Sequence, residues 1–166
     1  DFMAKGLEGV VAVTSGISSI IDGVLTYRGI NIDDLTENAT FEEVLYLLWH
    51  GDLPNQTQLD ELKQQLSKYT EIPEEVFTQM KTYPKDAHPM AVIRSLVSSL
   101  SLYDEQANDN SKDANMQKAI KLTAQLPVLI TAFNHYRHGR ERVAPNPDYS
   151  FAKNFLYMLN GEEPTD

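Results

Sequence analysis

Few side chains in this sequence are of a type and spacing that could act on a substrate. The histidines are His50, His88, His135 and His138. An acid–base or metal role would need a partner group brought to the same face. His50 falls in the last turn of an apolar-periodic segment and precedes Gly51, where a cation favours the helix dipole, so it reads as a helix end. His88 stands before Pro89 at a helix start, where its ring can order the backbone, with no nucleophile or second His at a useful spacing. His135 and His138, three apart, share one helix face, a geometry that a metal pair can use. No Cys and no H-E-x-x-H pattern accompanies them, so they are expected to form a solvated basic helix end.

The carboxylates are no more convergent. Glu42-Glu43, Glu74-Glu75 and Glu162-Glu163 are adjacent, and neighbours on a helix point about 100° apart, so they suit a helix dipole better than an acid–base pair. Arg137, Arg140 and Arg142 could together hold a phosphate or carboxylate. Glu141 lies between them and charge runs generally stay in water, so a solvated loop is expected. There is no P-loop, dinucleotide fingerprint or nucleophile elbow. Read from residue types and spacing, the chain is a helical scaffold with no catalytic, cofactor-binding or metal-binding residue.

The elements that would position such residues are mainly helical. Val10 to Val13 reads as a short strand, and Ile17–Ile21 and Val24–Tyr27 flank Asp22-Gly23, a strong two-residue hairpin signal. Three short strands cannot form a core alone. Thr40-Phe41-Glu42-Glu43 is a capping box opening a helix that stops at Gly51. A second helix follows Asn55 or Thr57, and a short one starts at Pro73.

A longer helix runs from Pro89 to about Tyr103. One face carries Val92, Ile93, Leu96, Val97 and Leu100, and another the small residues Ala91, Ser95, Ser98 and Ser99. Two packable faces place this helix either inside one domain or between subunits. Residues 104–113 read as an exposed loop. A helix from about Ala114 to His138 follows, with Pro127 expected to kink it. The last helix spans about Ser150 to Asn160, closed by Gly161.

The chain has 166 residues, 42% of them apolar, with a net charge of −10 and no Cys. This suits one folded domain. The acidic balance counts against nucleic acid and anionic membranes as partners, although a local site could still take a phosphate. Absence of Cys removes disulfides and thiolate chemistry and is compatible with a cytoplasmic location. The longest apolar run, near Leu126 to Phe133, is too short to span a bilayer, and the N-terminus has no signal-peptide pattern.

Several segments, in order from end to end, resemble the N-terminal part of citrate synthase. They are Gly6–Val11, Ile17–Gly23 with Leu25-Thr26-Tyr27-Arg28-Gly29, Phe41–Val44 with Leu47–Pro54, His88-Pro89-Met90, and Asn154–Pro164. Ile30 departs from the Tyr that many members carry there. The resemblance implies a mainly α fold with a small N-terminal antiparallel hairpin, as in the family's large domain. Residues 1–166 would be the N-terminal part of that domain, with the small domain and the C-terminal part absent. The family's catalytic residues lie in His-Gly-Gly-Ala-Asn, in Gly-His-Arg and at an Asp near the C-terminus. A further oxaloacetate-binding His lies in His-x-Asp-His-Glu. None of these strings occurs here, so no catalytic role passes to His50 or His138.

The resemblance therefore implies a truncated segment, inactive alone, of an enzyme condensing acetyl-CoA with oxaloacetate and water to citrate and CoA. It needs no cofactor; acetyl-CoA is a substrate. The implied partner is a second copy, packed through helices 89–103 and 114–138. The alternatives are a segment of a 2-methylcitrate synthase using propionyl-CoA, or a non-enzymatic helical association module.

Overall fold

The computed structural model describes residues 10–165 except Ala12, and the resemblance at Gly6–Val11 lies mostly outside them. Among the described residues there are seven α-helices and one three-stranded antiparallel sheet of order β1-β2-β3. None of these helices is long and apolar enough to cross a membrane. The chain divides into two compact units, residues 1–59 and 60–166.

The smaller unit begins with the hairpin β1 (Ser18–Ile21) and β2 (Val24–Tyr27), where Ile21 pairs with Val24. Asp22 and Gly23 both take the left-handed conformation, at φ 52° and 81°, as a two-residue turn of this kind requires. The expected strand at Val10–Val13 is not formed at the described positions; the third strand is instead β3 (Ile30–Asn31). Val10, Val11 and Val13 are all strongly exposed, so the apolar run has no neighbouring strand to bury it.

Helix α1 (Ile32–Asn38) follows, capped by Asn31, and then α2 (Phe41–His50). The Thr40 amide donates to Glu43 Oε2 at 2.7 Å and the Glu43 amide to Thr40 Oγ1 at 3.3 Å, the reciprocal box legible in the sequence. Gly51, at φ 99°, ends the helix. Arg28 ties the hairpin to this end, one guanidinium nitrogen donating to Leu48 O at 2.8 Å and another to Gly16 O at 3.2 Å.

The unit boundary falls early in α3 (Gln56–Lys68), whose start is fixed by Asn55 Oδ1 accepting from the Gln58 amide at 3.0 Å. The larger unit continues with α4 (Glu74–Met80), α5 (Pro89–Leu100), α6 (Lys112–Arg137) and α7 (Phe151–Asn160). Helix α5 tightens to a 3-10 turn at Ser101–Tyr103, the stretch that the sequence extended as helix. Its apolar face, Val92, Ile93, Leu96 and Leu100, joins Val76, Phe77 and Met80 of α4, Val128, Leu129, Ala132 and Phe133 of α6, and Met158 of α7 in one buried cluster. The long helix runs unbroken through the buried Pro127.

Two polar contacts fasten this core. His135 is only 3% exposed, and its Nε2 donates to Met158 O at 2.7 Å. That carbonyl is among the last four of α7, which have no partner within their own helix, so His135 serves as the cap of a neighbouring helix. The expected solvated basic end is therefore corrected for His135. It continues the inward line of Val128 and Thr131 at helical spacing, which outweighs its polarity. Its Nδ1 is buried and has no hydrogen-bond partner.

The second contact lies at the start of the loop after α5, where Asp104 accepts from Lys121 Nζ at 3.2 Å and from the Gln106 amide at 3.0 Å. Partial burial raises the Asp104 pKa, but the Gln106 amide and the Lys121 ammonium outweigh it and hold the carboxyl below its usual value.

Replacing His135 by Leu strands the Met158 carbonyl and is expected to destabilise the chain by about 1–3 kcal/mol. Urea unfolding should show a lower midpoint at unchanged slope. Asp104→Asn carries the pH signature. A carboxyl whose pKa is depressed on folding stabilises above its unfolded value near 3.8, and that contribution is lost as pH falls through the folded value. The variant should therefore be less stable at neutral pH, by under about 1 kcal/mol, and should converge with the parent in acid. A gap that persists unchanged below pH 3 would contradict this assignment.

Candidate functional site

Each histidine that could have carried chemistry is engaged at a helix end. His88 is the N-cap of α5, its Nδ1 accepting from the Met90 amide at 3.2 Å. His138 is exposed beyond α6 and its Nδ1 donates to Asn134 O at 2.7 Å, as the reading of a solvated helix end expects. His50 is exposed in the last turn of α2, its ring 4.1 Å from that of Tyr46. His135 and His138 do not converge, one being buried and the other in water. Among the described residues no group of three or more His, Asp or Glu side chains could hold a metal ion.

Two concave regions stand out among the described residues of the larger unit. One, of about 510 Å³, has an apolar floor including Ile72, Val97, Leu100 and Leu122. Its cations are already spoken for. Lys121 pairs with Asp104, and Lys118 Nζ donates to Asp109 O at 2.6 Å and Ala107 O at 3.3 Å.

The other, of about 370 Å³, lies between α4, the end of α6 and the segment that follows. It gathers two of the three arginines singled out above. Arg142 lies over the Phe77 ring, 4.1 Å from its centroid, and pairs with Glu74 at 3.1 Å. Arg140 also lines this groove, whereas Arg137 stacks on Phe133 at 5.7 Å. Arg142 is exposed, as the solvated-loop reading expects, and its guanidinium also lies across an aromatic face, where a cation gains attraction and covers apolar surface. Lys81 and Tyr136 complete the groove, with the Tyr136 hydroxyl donating to Lys81 O. No local pattern could have found these two, because the contact joins residues 55 apart in the chain.

The small-residue face of α5 is open. Ala91, Ser95 and Ser98 are exposed, while Val92, Ile93, Leu96 and Leu100 point into the core. Ser95 Oγ donates to Ala91 O at 3.0 Å and Ser99 Oγ to Ser95 O at 3.0 Å, so these hydroxyls are satisfied within the helix. The exposed Arg94 stands on the same side of the helix, between Ala91 and Ser98 in the chain.

Comparison with known proteins agrees with this architecture. Residues 6–166 match the family model described as citrate synthase, C-terminal domain. The chain is 54% identical over 162 residues to citrate synthase 2 of Bacillus subtilis, an alignment covering 97% of this chain and 44% of that one. It is 36% identical over 162 residues to 2-methylcitrate synthase 2 of Corynebacterium glutamicum, covering 96% of this chain and 42% of the relative. The crystal structure of citrate synthase from Pyrobaculum aerophilum superimposes with a TM-score of 0.87 at 31% identity, over 96% of this chain and 42% of that chain. The chain thus spans less than half the length of these relatives. A match running through both the hairpin and the core helices leaves one conclusion: the chain belongs to the citrate synthase family.

Proposed function

We propose that this chain is the scaffold segment of a citrate synthase, an acyltransferase that condenses acetyl-CoA with oxaloacetate and water to give citrate and CoA. On this reading residues 1–166 are the N-terminal part of the large domain, and the condensing residues lie in the remainder of the enzyme. The reaction needs a base for a weakly acidic methyl proton and donors that stabilise the enolate as it forms. The observation that carries the reading is the engagement of the histidines. His88 and His138 hydrogen-bond backbone at helix ends, His135 is buried against Met158, and His50 stacks on Tyr46. Among the described residues no group of three or more His, Asp and Glu side chains gathers around any of them.

The acetyl-CoA reading is favoured over the propionyl-CoA one by identity, 54% to a citrate synthase against 36% to a 2-methylcitrate synthase. The acyl-CoA preference itself belongs to the intact enzyme, where the two rates can be compared directly. An end-to-end match also counts against a free-standing association module, which would have little reason to preserve the whole segment.

We further propose a cytoplasmic homodimer whose interface uses helices 89–103 and 114–138. The exposed Ala91, Ser95 and Ser98 stripe supports this, because small side chains allow close approach and the Ser95 hydroxyl, already bonded to Ala91 O, costs little to desolvate. Exposed Leu122 and Ile130 supply apolar area on the second helix.

Two measurements test these readings. The 166-residue chain, mixed with acetyl-CoA and oxaloacetate, is expected to release no thiol above the uncatalysed background. Turnover abolished by a His88 or His135 substitution would overturn the scaffold assignment. In the intact enzyme, Ser95→Arg puts bulk and charge at the centre of the stripe and is expected to raise the concentration for half-dissociation at least ~10-fold. An unchanged dimer mass by light scattering at every concentration would remove α5 from the interface.

A further inference from the structure

The groove between α4 and the end of α6 has a charge balance unlike the rest of the molecule. The chain as a whole carries −10. Around this groove stand Lys81, Arg140 and Arg142, with Lys85 Nζ 5.6 Å from the centroid of the Tyr136 ring on its wall, facing the carboxylates Glu74 and Glu141. Glu74 is already paired with Arg142. Neither Lys81 nor Arg140 has a carboxylate within ion-pair distance among the described residues.

The backbone fixes this arrangement. Gly139, at φ 71°, turns the chain out of α6, while the Arg140 amide donates to His135 O at 2.9 Å and the Gly139 amide to Tyr136 O at 3.0 Å. These paired bonds are those of a left-handed helix termination, and they aim residues 140–144 back across α4. On the opposite wall the Tyr136 hydroxyl holds the Lys81 carbonyl. The helix dipole accounts for cations in the last turn of α6, but its effect falls off within that turn. It does not explain Arg142, fixed farther on by Phe77 and Glu74.

We propose that this groove is a binding site for a small, multiply charged anion, a polycarboxylate or a phosphate, recognised chiefly by Lys81 and Arg140 against the wall formed by Arg142 and Tyr136. Both ligand types offer planar or tetrahedral oxygens that a guanidinium can meet with two hydrogen bonds and an ammonium with one. Glu141 opposes binding by like-charge repulsion and sets its strength. The site is independent of whether the intact enzyme condenses acetyl-CoA.

Calorimetric titration of the 166-residue chain at low ionic strength, with tricarballylate in one arm and pyrophosphate in the other, tests the proposal. One saturable site is expected, weakening as salt screens it. The arm with the lower Kd identifies the preferred oxygen geometry. Lys81→Ala and Arg140→Ala are each expected to raise Kd about tenfold, the loss of one charge-assisted contact. Glu141→Gln should lower it several-fold. All three side chains are exposed, so unfolding midpoints should be unmoved and a loss of binding cannot be ascribed to misfolding. Absence of saturable binding in both arms, or binding indifferent to Lys81, Arg140 and Glu141 alike, would overturn the proposal.

Discussion

Every helix leaves amide groups unpaired at its start and carbonyls unpaired at its end, and answering that demand organises much of this chain. Thr40, Ser111 and Ser150 take up amides at the starts of α2, α6 and α7. More unusual is the use of side chains that elsewhere do chemistry. His88 opens α5, His135 closes α7 from a neighbouring helix, His138 meets a carbonyl at the end of α6, and Arg28 meets one at the end of α2. These bonds fix the positions of the histidine rings. The His135 Nε2, facing a carbonyl, acts as the donor, while its Nδ1 has no hydrogen-bond partner inside the core.

The larger unit also depends on a proline that a helix should reject. Pro127 removes an amide from the middle of α6, a penalty of about 3 kcal/mol in an exposed helix. Here Pro127 is itself buried, and Leu129 and Phe133 beyond it are almost fully so. Burying each such side chain contributes roughly 1.5–3 kcal/mol, so two of them can offset the lost bond. Thr131 Oγ1 adds a second partner for the region by donating to the Pro127 carbonyl at 2.8 Å. The helix survives because its apolar stripe lies mainly after the proline and is covered by α4, α5 and α7.

Local grammar made most elements legible. The Asp22-Gly23 turn, the Thr40–Glu43 box, the Gly51 and Gly161 stops and the apolar spacing of α5 all act over a few residues, so they can be read from a few residues. The failures share the opposite property. Val10–Val13 has strand-forming residues but no strand beside it at the described positions, and pairing is not encoded in the run itself. His135 sits in the polar string Asn134–Arg140, although its spacing from Val128 and Thr131 pointed inward. The groove lined by Lys81 and Arg142 could not be read at all. It is made by contacts joining residues 55 and 68 positions apart, which only the fold brings together.

Helix α5 shows how one sequence can be committed on one side and available on the other. Val92, Ile93, Leu96 and Leu100 face the core, and replacing any of them would open a cavity. Ala91, Ser95 and Ser98 face outward and are exposed. At Ser95 and Ser98 a larger polar residue would solvate as well and would favour the helix no less, since Ser is a weaker helix former than Glu, Lys or Gln. Smallness at those two positions therefore has a small cost to the isolated helix. On the proposed dimer reading that cost is offset where another backbone approaches, since absent side chains allow close packing and the self-bonded hydroxyls of Ser95 and Ser99 lose little on leaving water. That asymmetry is why the stripe supports an interface more strongly than apolar exposure alone would, and why the proposed second copy is placed on α5 and not on the exposed Ile20 and Ile21 of the hairpin.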